Sequence, residues 1–179
     1  YLWGNGTAAE EDPESVSPTQ LLRRLMACNF PLVRNGAISL LILHPELAPA
    51  VVEVLQSGEH EITEHLAVRT LATLYMQEWW FFRLTLALGR LPAFPETPFV
   101  ALWEERHLPE PRVGYGREGL LALQEYQQQK YDAPLNFLDD WQNQINHLLN
   151  QEDAHQRELS EDLRQILIRR SRLLVERAS

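Results

Sequence analysis

Apolar residues recur along this chain at intervals of three and four and are interrupted where prolines and glycines fall, a pattern that predicts helices separated by turns. Ser17, Pro18 and Gln20 combine an N-cap serine, a proline at the first helical position and a glutamine placed for the reciprocal capping bond. Leu21, Leu22, Leu25 and Met26 follow at helical spacing, and this helix is expected to stop near Asn29, ahead of Pro31. A second helix is expected over 32–43, and a third from the proline-bearing break at 44–49 to about Gln56. A long helix from near Glu61 presents Ile62, Leu66, Val68, Leu71, Ala72, Leu74 and Tyr75. Strand-like alternation is almost absent. The expected fold is all-α: a compact multi-helix domain of seven to nine helices.

The stretch 75–89, YMQEWWFFRLTLALG, places four aromatic rings in succession at 79–82. A surface helix offers its core a stripe about 100° wide, whereas four consecutive helical positions point all round the axis. The segment must therefore be enclosed on several sides, or leave aromatic surface for something else to cover. It is expected to continue or restart the preceding helix at Trp79 and to end at Gly89, where glycine accepts the left-handed cap conformation.

Three prolines within 91–98 exclude a regular helix there. A short helix is expected over 99–107, a linker over 108–116, and amphipathic helices over 117–130 and 134–150. The last of these carries Phe137, Leu138, Trp141, Ile145, Leu148 and Leu149 on one broad face, and a final helix spans 160–177. The chain thus divides into a flexible acidic tail or loop at 1–16, a helical core at 17–107, and a C-terminal helical region at 108–179 packed on the same domain.

LVRNGAISLL at 32–41 and AVRTLATLYM at 67–76 align so that Val33 meets Val68, Arg34 meets Arg69 and Ala37 meets Ala72. This pattern over 32–90 resembles the helix-pair units of HEAT or armadillo-like repeats. That resemblance implies packing roles for the valine and alanine and an inter-repeat contact for the arginine. A third copy is absent at the next offset, where Trp103 and Glu104 stand, so the expectation is one duplicated helical hairpin in a compact domain.

Apolar residues make up 45% of the 179, enough for a core without disulfide or metal support. The net charge is −9 and neither half of the chain is basic, which disfavours nucleic acid as the main partner, since nonspecific affinity for it comes from phosphate neutralisation. Cys28 is the sole cysteine, so neither an intrachain disulfide framework nor a Cys-rich zinc site is available. No secretory leader is legible at the start, and a cytoplasmic location is expected. The longest greasy segment, 79–91, falls short of the roughly 20 residues a spanning helix needs and carries Arg83 and Arg90, so no membrane role is expected.

Glu104 with His107, and Glu152 with His155, have the E-x-x-H spacing from which helical bundles build dinuclear metal centres. The first pair ends at a proline-bounded terminus and the second lies in the polar run QEDAHQRELSED, so solvated side chains are the simpler reading of both. No nucleophile elbow, Walker loop or dinucleotide fingerprint is present, and no cofactor is expected. The C-terminal helix carries Arg169, Arg170 and Arg172 on a basic face that suits a helix end. The functional expectation is a non-enzymatic module for protein interaction or self-assembly, with Trp79, Trp80, Phe82 and Trp141 as contact residues and Arg83 beside them. One alternative is a small-molecule-binding domain whose aromatic-lined pocket is closed by 91–98 and includes Arg83. A helical metal-dependent enzyme is the other.

Overall fold

The computed structural model describes residues 16–131, 165–166 and 168–170. Seven α-helices run through the first of these segments: α1 (Pro18–Ala27), α2 (Pro31–Leu43), α3 (Ala48–Ser57), α4 (His60–Trp79), α5 (Phe81–Leu88), α6 (Val100–Glu104) and α7 (Arg117–Tyr131). Three tight 3-10 turns, Pro45–Leu47, Thr97–Phe99 and Val113–Gly116, connect them, and the described residues contain no strand. The domain is all-α and compact, as the periodicity predicts.

Local chemistry explains the helix ends. The Ser17 hydroxyl accepts the Gln20 N–H at 3.2 Å while the Ser17 N–H donates to Gln20 Oε1 at 3.2 Å, completing the capping box. Pro31, read from sequence as the stop for α1, also opens α2, because a proline at the first helical position gives up an N–H that has no partner there anyway. The free carbonyls at the end of α2 are met by Arg90, whose Nη2 donates to Leu43 O at 2.6 Å and to Ile42 O at 3.3 Å. Gly89 ends α5 at φ 60°, the left-handed conformation expected of it.

α4 is the axis of the molecule. Every residue from Leu66 to Gln77 is buried, with α1, α2, α3, α6, α7 and the Val113–Gly116 turn packed around it. Burial on all sides needs partners for the polar groups the helix carries. Thr73 Oγ1 donates to Arg69 O at 2.8 Å, Tyr75 OH to Pro109 O at 2.7 Å, and Gln77 Nε2 to Phe94 O at 2.9 Å. α7 comes so close that a Cβ on Gly116 would strike the Tyr75 carbonyl and one on Gly119 would enter the Tyr75 ring.

The two segments aligned by sequence lie side by side in α2 and α4. Arg69 Nη2 donates to Asn35 Oδ1 at 3.0 Å, and Arg34 Nη1 meets His65 Nε2 at 2.9 Å, so both arginines reach across the same helix–helix seam. No single described helix is long and apolar enough to cross a membrane. The α2–α3 stretch reaches that hydropathy only across a 107° bend, and its apolar residues Ile38, Leu41, Val51 and Val54 are buried in the core. Of the tail expected at 1–16 all but Val16 lies outside the described residues, as do the helix expected at 134–150 and, except for the helical residues 165–166 and 168–170, the helix expected at 160–177.

Candidate functional site

α4 gives way to α5 at Trp80, whose φ of −97° and ψ of 15° leave the helical region. Its N–H still donates to Met76 O at 2.8 Å, and its carbonyl accepts the Leu84 N–H at 2.8 Å, so one residue closes the first helix and opens the second. Positions three apart share a helical face whereas adjacent ones diverge. The bend keeps that relation. Trp80 and Phe81 turn inward, each 7% exposed, while Trp79 and Phe82 turn outward, 38% and 36% exposed.

Trp79, Trp80, Phe82 and Arg83 line an open groove of about 360 Å³. The two indoles meet edge to face with centroids 5.3 Å apart, and the phenyl rings of Phe81 and Phe82 do the same at 5.7 Å, the geometry that the ring quadrupoles favour. Arg83 lies over the Trp80 ring, its Cζ 4.6 Å from the centroid, which fixes a cation at the edge of an apolar surface. Trp80 Nε1 is buried without a hydrogen-bond partner. The groove therefore combines exposed aromatic faces with a cation. The 91–98 loop does not close it; residues 92–97 wall a different cavity, with Gln77, Glu78 and Phe81.

A second cluster arises from distant parts of the chain. Glu64 of α4 is 6% exposed and receives Arg106 Nη2 at 2.7 Å, Tyr126 OH at 2.9 Å and Lys130 Nζ at 2.9 Å. Burial alone would push its carboxyl up. Hydrogen bonds from Arg106, Lys130 and Tyr126, with the Arg106 charge, outweigh that and hold it down at about 2. Arg106 and Lys130 are correspondingly held above their ordinary values by the same pairings, against the effect of burial. The carboxylate is permanently ionised and fully engaged, which suits a structural tie between α4, the end of α6 and α7 and leaves no proton to exchange near neutrality. Sequence spacing offers Glu64 only as an imaginable further metal ligand and does not join it to these partners, of which Arg106 and Tyr126 stand 42 and 62 positions away with no local motif between them.

Of the metal candidates, Glu104 and His107 are exposed; α6 ends at Glu104, and His107 lies beyond it with a φ of 53°, so the pair loses helical spacing. Among the described residues no three His, Cys, Asp or Glu side chains converge on a point. Glu152, His155, Trp141 and Arg172 lie outside the described residues. Arg169 is exposed, and Arg170 stacks over the Phe81 ring and pairs with Glu78. No protein-family profile, curated protein or solved structure matches the chain.

Proposed function

We propose that this chain is a helical protein-interaction module that engages its partner through the Trp79–Trp80–Phe82–Arg83 groove. The observation that carries this reading is the split of four consecutive rings, two into the core and two onto the surface beside a fixed cation. Tryptophan and arginine dominate the energetics of protein interfaces because they combine large apolar area with a directional polar end. An apolar side chain of the partner fits between Trp79 and Phe82, and a carboxylate or carbonyl beside it meets Arg83. A second copy of the chain is one such partner. The α2–α3 and α4–α5 pairs are read here as a HEAT-like duplicated hairpin that presents this groove at its outer bend.

Support for a small-molecule alternative is limited to the groove's volume, which falls at the low end of the roughly 300–1,000 Å³ typical of ligand pockets. Its open mouth favours a protein surface. The test is a quantitative pull-down with the tagged chain, comparing wild type with a Trp79→Ser, Phe82→Ser variant. Trp79 and Phe82 are only 38% and 36% exposed and each touches a neighbouring ring, so the variant is expected to lose roughly 1–2 kcal/mol per ring and is compared at equal folded amounts. The expected result is one or more proteins enriched by the wild type and lost from the variant at equal folded amounts. Identical recovery by both would overturn the assignment of the groove.

A further inference from the structure

On the other side of the α4–α5 bend lies a cavity of about 350 Å³, bounded by Gln77, Glu78, Phe81, the 92–97 loop, Arg112 and Arg170. Its chemistry is specific. The Glu78 carboxylate is largely buried and pairs with Arg170, whose guanidinium lies over Phe81 with its Cζ 3.7 Å from the ring centroid. Glu96 pairs with Arg112 at 3.3 Å, so removing Arg170 would leave the lining with one carboxylate in excess. Gln77 is 5% exposed; its Nε2 is held by Phe94 O, while its Oε1 is a buried acceptor without a partner.

A carboxylate beside an aromatic face describes a ligand that is cationic, planar and rich in N–H donors. Guanidinium has those properties; an ammonium lacks the flat face. The walls suit such a ligand, because Pro92 and Pro95 hold a fixed backbone and the stacked rings of Phe94 and Phe99, 5.3 Å apart and 6° from parallel, brace the loop from inside. Burial raises the Glu78 carboxyl above its ordinary value, with the charge of Arg170 pulling the other way.

We propose that the Glu78–Phe81 side of this cavity is an arginine-side-chain receptor, occupied in this chain by its own Arg170 and open to an arginine-bearing peptide when Arg170 leaves. Intramolecular occupancy lowers the apparent affinity for any competitor by the fraction of time the site is free. The site is separate from the Trp79 groove, so the two assignments stand or fall independently.

The experiment measures fluorescence anisotropy of two labelled peptides, QILIRR (residues 165–170) and the same peptide with its last arginine replaced by alanine, against wild type, Arg170→Ala and Arg170→Ala with Glu78→Gln. Arg170→Ala is expected to bind the arginine peptide at least about tenfold more tightly than wild type does. It should discriminate against the alanine peptide, and the added Glu78→Gln change should abolish binding. No gain on Arg170→Ala, or equal binding of the two peptides, would overturn the proposal. A readout that needs no Arg170 variant is the Arg170 Nη2–H resonance in wild type, expected to be protected from solvent exchange and to lose that protection in Glu78→Gln. Equal exchange in the two proteins would also overturn it.

Discussion

Glu64 is held by three donors from two other elements, and the arrangement makes stability depend on pH in a definite direction. Its folded carboxyl titrates at about 2, below the ordinary value of 4.5, so the stabilisation is fully present above pH 4.5 and is lost as pH falls towards 2. A shift of that size corresponds to roughly 3 kcal/mol at most. Glu64→Gln is therefore expected to cost roughly 1–3 kcal/mol at pH 7, where it removes the nearest counter-charge of Arg106, and to flatten the dependence of urea-unfolding free energy on pH between 4.5 and 2. The same slope in wild type and variant would show that the carboxylate is not the tie described here. None of this is legible in the sequence, where Glu64 is one acid in the polar run HEITEH. Its burial is decided by what folds over it.

At the scale of elements, α4 is held by the close approach of α7, and that approach depends on two residues without side chains. Gly119→Ala would drive a methyl group into the Tyr75 ring, which is fully buried and anchored to Pro109 O, so the helices must separate. The expected loss is about 1–3 kcal/mol in chemical denaturation; a neutral result would mean that the α4–α7 seam yields easily. Helix ends were the legible part of these elements, because Ser17, Pro18, Gln20 and Gly89 act through their own backbone and near neighbours. The enclosure of α4 was not legible. Its buried face is the whole circumference, including Arg69, Thr70, Thr73 and Gln77, and a helix whose polar residues point inward shows no stripe. Pro31 was legible as the end of one helix but not as the start of the next, since either use satisfies its missing N–H. The outward turn of Trp79 and Phe82 follows from a spacing of three, yet which pair faces out depends on where the rest of the chain packs.

For the molecule as a whole, a compact helical core surrounds α4 and carries the Trp79 groove and the Glu78 cavity, the two surfaces proposed above for recognition. One combines aromatic rings with Arg83, the other a buried carboxylate with Arg170. The core is the rigid part that holds both, since Trp80 and Phe81 are packed within it while their neighbours face out. The most direct test of the central claim is site-specific photo-crosslinking in cells, with a photoreactive phenylalanine analogue placed at Phe82 and, for comparison, at Leu121, which is exposed on α7. A discrete adduct from position 82 that is missing from position 121, and that disappears when Trp79→Ser is added, is the predicted result. The same adducts from both positions, or none from position 82, would contradict the account.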